Sequence, residues 1–167
     1  MSAVTIRYAT EADTALILDF IRELAVFEGM GDEVVATETD LHVSLFERGQ
    51  AEVIIAETGG EPVAFALFFQ SYSTFLGKAN LFLDDLFVRE PFRGVGIGTA
   101  MLRRLARIAV ERKCGRLDWL VLDGNADGAA FYKKQGAAAL TDRRVYRLDG
   151  EGLAAFAAGE SGTGRRV

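Results

Sequence analysis

The sequence predicts one α/β domain built around a mixed, mostly antiparallel sheet, and three observations carry that reading. Short runs of strand character alternate with segments whose apolar residues recur at helical spacing. The pair Gly59-Gly60 sits between two strand-like runs as a hairpin turn, which makes them antiparallel neighbours. Half of the 167 residues are hydrophobic, enough to fill a single core in a chain of one-domain length.

The elements follow in order. Residues 4–8 alternate in character and read as a first strand. Thr10-Glu11-Ala12-Asp13 resembles a capping box, so a helix is expected to follow it to about Phe27, with Ile17, Phe20, Ile21 and Leu24 on one face. Residues 28–32 form a loop, and Thr37 or Thr39 caps a second helix through Leu45 or Phe46. Residues 52–57 and 62–70 are the two arms of the Gly59-Gly60 hairpin. A loop over 71–78 carries Tyr72 and Phe75, and a fourth strand runs over 80–88 until Glu90-Pro91 stops it. A long helix is expected over 95–112, a fifth strand over 116–122, a helix over 126–135, a sixth strand over 143–148 and a short last helix over 150–158. The single domain then covers 1–158, and the Gly- and Arg-rich stretch 159–167 reads as a flexible tail.

Composition narrows the function. A net charge of −5 argues against a nucleic-acid partner, for which a basic face is expected. One cysteine, Cys114, and one histidine, His42, exclude an internal disulfide and make a zinc site or a Cys–His nucleophile pair improbable, so no metal is expected. There is no signal peptide and no apolar run long enough for a membrane span, so the expectation is a cytoplasmic chain with no membrane partner.

The most informative stretch is Arg93-Gly94-Val95-Gly96-Ile97-Gly98. It leaves the apolar run 81–88 and opens the segment in which Ile97, Met101, Leu102, Leu105 and Ile108 share a helical face. Glycine permits positive φ and close backbone approach, and a helix start offers free N–H groups with a partial positive charge; together they suit a diphosphate. The spacing is neither the dinucleotide G-x-G-x-x-G nor the Walker pattern, since no Gly-Lys-Ser/Thr follows. On the loop alone, a tight strand-to-helix turn remains a competing explanation.

The loop resembles the acetyl-CoA pyrophosphate loop, R-x-x-G-x-G, of the GNAT N-acetyltransferase superfamily. Two elements further on, Asn125 and then Ala129-Ala130-Phe131-Tyr132-Lys133-Lys134-Gln135-Gly136 repeat that family's Asn and Phe-Tyr signals in order. Within the superfamily, Ile6-Arg7, Glu23-Leu24-Ala25, Phe27-Glu28, Gly77-Lys78 and the run 83–98 look like the diamine acetyltransferases of the spermidine/spermine and thialysine kind. Tyr72-Ser73-Thr74 and Val121-Leu122-Asp123 look like the thialysine branch.

The resemblance implies an acyl-CoA N-acyltransferase fold with six or seven strands flanked by helices, acetyl-CoA as cofactor, a small-molecule primary amine as acceptor, and a homodimer. Cofactor contacts are implied for Leu86, Phe87 and Val88 along strand four, for Arg93, Gly94, Val95, Gly96, Ile97, Gly98 and Thr99 in the loop, and for Asn125, Asp127 and Tyr132. Arg103, Arg104 and Arg107 either approach the cofactor's 3′-phosphate or form a solvated basic face. Substrate contacts are implied for Phe27, Glu28, Ser73, Phe75, Asp84 and Arg144.

Acetyl transfer needs a deprotonated amine and a protonated leaving thiolate. Asp84 and Asp85 are adjacent in a strand and are therefore expected on opposite faces, and the family's acidic position falls at Asp84, one methylene shorter than the usual glutamate. A water relay from the amine to Asp84 suits that length. Tyr132 takes the general-acid position by resemblance: a phenol of pKa about 10 can protonate a thiolate of pKa about 8.5. Ser73 and Arg144 stand where polyamine acetylators carry acidic groups, and an arginine suits a carboxylate, so an amino-acid-like amine is favoured over spermine. Three other readings compete: a protein lysine or N-terminal acetyltransferase, a non-catalytic acyl-CoA-binding module, and a domain that keeps only the fold. Replacing Tyr132 by Phe is expected to lower kcat about a hundredfold, the scale of general-acid catalysis, while calorimetric CoA affinity stays near wild type. An unchanged kcat would remove the general-acid role.

Overall fold

The computed structural model describes residues 3–159, which fall into two compact units divided after Asn125. The expected tail lies, from residue 160 onward, outside the described residues.

The first unit holds one five-stranded sheet in the order β1-β2-β3-β4-β5. Its strands are β1 (Val4–Tyr8), β2 (Glu52–Thr58), β3 (Glu61–Ser73), β4 (Lys78–Val88) and β5 (Leu117–Trp119). Neighbours are antiparallel except β4 and β5, which run parallel with the long crossover helix α3 (Ile97–Glu111) between them. The other helices of this unit are α1 (Thr14–Phe27) and the short α2 (Glu38–His42).

Both faces of the sheet are covered, and the sequence of β2 shows why: Val53, Ile54, Ile55 and Ala56 are all buried, as expected of a central strand packed on both sides. On one face Val53, Ile55, Phe65 and Phe87 pack against Ile17 and Phe20 of α1 and against Leu45. Phe20 and Phe65 stack with centroids 5.1 Å apart. On the other face Ile54, Phe68, Leu81 and Leu83 lie with the buried stripe Met101, Leu105 and Ile108 of α3. The small cross-strand pair Ala56 and Ala64 lets α3 approach the sheet on this side.

Ion pairs fasten the edges. Arg89 donates to Glu23 of α1 from both Nε and Nη2 and to the carbonyl of Pro62, so one guanidinium ties β3, β4 and α1 together. Arg7 bonds Asp13 through two nitrogens at 2.8 Å, and Asp13 also accepts from the Thr10 backbone N–H, which confirms the capping role expected at that start. Arg7 holds the Asp13 carboxyl down at about 2. Thr37 caps α2 by accepting from the Asp40 N–H at 3.2 Å.

The structure corrects the expected boundaries in four places. The loop expected over 71–78 narrows to 74–77, because Tyr72 and Ser73 pair with Ala79 and Lys78 and extend the hairpin. The second helix is α-helical only to His42 and widens into a π turn over Val43–Glu47. The fifth strand is three residues long instead of seven, because its parallel ladder ends at the Leu83–Trp119 pair. No strand forms over 143–148, so the described residues contain five strands and not six or seven. That stretch carries the β-favouring Val145 and Tyr146, but such residues make a strand only where a neighbouring strand takes up their hydrogen bonds, and none is present for it among the described residues.

The second unit contains α4 (Ala126–Lys134), a stretch over 137–149 without helix or strand, and α5 (Gly150–Ala157). Gly136 ends α4 at φ +87°, donating its N–H to the Lys133 carbonyl, the helix stop that glycine favours.

Phe65 is fully buried and stacked on Phe20, so Phe65→Ala is expected to cost about 3–5 kcal/mol in urea unfolding. A loss under about 1 kcal/mol would mean that the α1 face of the sheet repacks freely.

Candidate active site

The site begins with an irregularity in β4. Leu67 pairs with Asp85 and the next residue, Phe68, pairs with Leu83, so Asp84 is an extra residue with no cross-strand partner. Leu67 packs on the α1 side of the sheet. Phe68 lies on the α3 side, under the guanidinium of Arg112. Cross-strand partners share a face, so Leu83 points to α3 while Asp85 points to α1. Residues two apart in a regular strand would share a face, and the inserted Asp84 breaks that rule. Regular period-two alternation is thus interrupted between Leu83 and Asp85. Asp84 is solvent-exposed at the bulge, and Asp85 is the carboxylate turned inward.

Asp85 borders a pocket of about 180 Å³ with Glu28 and Glu33 on its rim and Ile21, Leu24 and Met30 on its wall. Burial is the main cause that lifts the Asp85 pKa from an ordinary 3.8 to about 7, and the nearby charges of Asp84 and Glu28 add to it. Glu28, just beyond α1, is raised by burial too. No Lys or Arg among the described residues pairs with Asp85. An inward carboxyl that gains or loses its proton near neutrality, facing a pocket with two more carboxylates, can accept a proton from a cationic amine. Of the two adjacent aspartates the family resemblance selects Asp84, whereas the pocket is bordered by Asp85, a placement set by a bulge that has no local signature in the sequence.

The same end of β4 has an unpaired edge. β5 pairs with β4 only up to Leu83, so the edge from Asp84 to Val88 has no ladder partner on that side among the described residues. The backbone groups that this edge turns away from β3 suit an extended amide-bearing chain laid along it. Beyond, Gly94 and Gly96 adopt φ +77° and +94°, and a Cβ built on either meets nothing within 4 Å, so the loop faces open space. Gly96 is the N-cap of α3 and supplies no side chain to cap it. The first intrahelical bond runs from Ala100 to the Gly96 carbonyl, which leaves the N–H groups of Ile97, Gly98 and Thr99 to a ligand or water. An open glycine turn with uncapped helix amides beside an unpaired strand edge fits a diphosphate carrying a pantetheine arm.

Arg93 donates from Nε to the Val88 carbonyl at 2.7 Å, and its guanidinium lies over the Phe27 ring at 4.3 Å. Phe27 closes α1, half exposed, with Phe87 at 6.2 Å between ring centroids. Phe27, Glu28, the Asp84–Asp85 pair and Arg93 are thus gathered at one end of the sheet. Ser73 and Phe75 are not among them. Ser73 pairs with Lys78 at the far end of the β3–β4 hairpin, and six residues of strand at about 3.3 Å each put that pair roughly 20 Å from Asp84. Its hydroxyl accepts the Leu76 N–H at 3.3 Å and closes the turn, while Phe75 is exposed at the tip. Asn125 ends the first unit, its N–H bonded to the Leu122 carbonyl at 2.8 Å. In the second unit Asp127 lies in the first turn of α4, Tyr132 meets Phe131 edge-on with centroids 5.0 Å apart, and Arg144 is exposed in the stretch that follows α4. No cluster of metal-ligating side chains occurs among the described residues, nor any helix long and apolar enough to cross a membrane.

Comparison with known proteins agrees with this geometry. The sequence pattern of the acetyltransferase (GNAT) family matches residues 18–137. A thialysine N-epsilon-acetyltransferase from Bos taurus is 36% identical, the alignment covering 92% of this chain and 96% of that one. An L-ornithine N5-acetyltransferase from Arabidopsis thaliana is 29% identical over 90% of this chain and 86% of that one. Among solved structures, an integron cassette protein from V. cholerae superposes with a TM-score of 0.79 at 30% identity, covering 94% of this chain and 98% of that one. With likeness of this extent running along nearly the whole of each relative, the chain belongs to the GNAT acetyltransferase family and is an N-acetyltransferase that draws its acetyl group from acetyl-CoA.

Proposed function

We propose that the chain acetylates the primary amine of a small cationic molecule, a diamine or a basic amino acid of the lysine, thialysine or ornithine kind. The observation that carries this reading is the pocket lined by Asp85, Glu28 and Glu33, none of which has a cationic partner among the described residues. Such a rim attracts an ammonium group, and its apolar wall accommodates a short methylene chain. The names of the thialysine and ornithine acetyltransferase relatives favour the same acceptor class.

In this proposal Asp85, in its ionised form, accepts the proton of the bound ammonium, directly or through a water. The exposed Asp84 adds negative charge beside it and keeps a water-relay role open. The free amine then attacks the thioester carbonyl, and Tyr132 donates a proton to the departing sulfur, a role it takes from the family resemblance. The cofactor supplies the acetyl group. Leu86, Phe87 and Val88 hold its pantetheine, Arg93 to Thr99 its diphosphate, and Asn125 and Asp127 complete its contacts. Arg144 receives a carboxylate on the acceptor, and Phe27, Ser73 and Phe75 stay as substrate-side residues on the resemblance alone. One functional domain over 1–158 is favoured because the family pattern runs through both structural units. Homodimer assembly, cytoplasmic residence and the absence of a nucleic-acid partner belong to the same reading.

An amine panel assayed by release of free CoA thiol is expected to rank lysine-like amino acids and short diamines above spermine and above peptides. A spermine rate far above every amino acid would overturn the acceptor assignment. If Asp85 is the base, wild-type kcat/KM is expected to rise with pH through about 7, since the carboxyl must lose its proton to act. Asp85→Asn should remove that limb and lower kcat about a hundredfold, whereas Asp84→Asn should keep the limb. Stability carries the opposite sign. The unfolded carboxyl ionises near 3.8 and the folded one near 7, so this group costs stability increasingly from about pH 4 to about pH 7, and Asp85→Asn should be relatively stabilised above that range. A limb near 7 that vanishes with Asp84→Asn instead would transfer the role to Asp84.

A further inference from the structure

The sequence assigns Arg93 to the cofactor and Phe27 to the acceptor, but the two side chains are in contact. The Arg93 guanidinium carbon sits 4.3 Å from the Phe27 ring centroid and 5.3 Å from that of Phe87, and its Nε–H holds the Val88 carbonyl. Phe27 is the last residue of α1, and Glu28 follows it to the rim of the Asp85 pocket. The Phe27 ring is 54% exposed and borders a cavity of about 380 Å³, so it is supported mainly from the side of Arg93 and Phe87. One side chain thus leads the glycine loop, braces the free edge of β4 and pins the end of the helix that leads to Glu28.

We infer that Phe27 is a positioning residue for the cofactor loop, acting through Arg93, and that acetyl-CoA binding and the placement of Glu28 are coupled through this stack. A guanidinium on an aromatic face is attracted by the ring's quadrupole, so each partner restricts the other. Order in the loop lowers the entropic cost of gripping a diphosphate, and order at the end of α1 lowers the cost of receiving an amine. The inference rests on the reading of residues 93–99 as the cofactor cradle.

Calorimetry with acetyl-CoA, without any amine, tests it. Phe27→Leu keeps an apolar side chain but removes the ring face, and Arg93→Lys keeps the charge but removes the planar stack and the Nε–H bond. Each is expected to weaken acetyl-CoA binding about threefold or more, Phe27→Tyr is expected to bind as wild type, and the Phe27→Leu/Arg93→Lys double variant should lose less than the product of the single losses. The same single variants should raise the amine KM. Wild-type affinity in Phe27→Leu, or losses that multiply in the double variant, would overturn the coupling. No acetyl-CoA binding by the wild-type chain would overturn the cradle reading and the coupling with it.

Discussion

The pairing of β3 with β4 accommodates one residue too many, Asp84, and much of the site follows from how the strand absorbs it. A bulge bends its strand and sharpens the twist. Here it also reverses which residues face α1 and which face α3. Leu83 stays in the α3 core, and two positions later Asp85 enters the pocket under α1. The β5 ladder stops at Leu83, where the bulge begins, so the same irregularity that turns the carboxylate inward coincides with the release of the strand edge from Asp84 to Val88.

Around that bend the molecule divides its polar work. The inward carboxyl is destabilised in its charged form by burial and by two like charges, which is how a weak acid is brought near neutrality. The glycine loop does the opposite, presenting uncapped amides of α3 to a negative group. Arg89 and Arg112 are occupied by Glu23 and Glu52, so they serve the frame between sheet and helices. Arg93 differs, in that its charge rests on aromatic faces beside the loop.

The extremes of β4 have separate tasks. Its start is closed by a hairpin in which Ser73 serves the turn, and its end carries the bulge, the free edge and the approach to the glycine loop. The family resemblance placed Ser73 at the acceptor, but the hairpin is long enough to hold it away from Asp84 within this chain.

Local chemistry made the frame legible. The alternation of β1, the apolar runs of β2 to β4, the Gly59-Gly60 turn, the Thr10 and Thr37 caps and the apolar stripe of α3 are signals written in neighbouring residues, and each fell within a few positions of the observed element. The glycine loop was readable for the same reason, since positive φ and a helix start both depend on residues adjacent in the chain. What depended on distant partners was not readable. The length of β5 is set by where β4 bends away, and the stretch around Val145 needs a neighbour that its own residues cannot supply. The choice between Asp84 and Asp85 is set by a register that β3 imposes on β4. The sequence by itself determined most of the elements, the glycine turn that opens α3 and the family; the tertiary structure alone decided which carboxylate is buried, because facing and burial are properties of a strand's pairing and not of its residues.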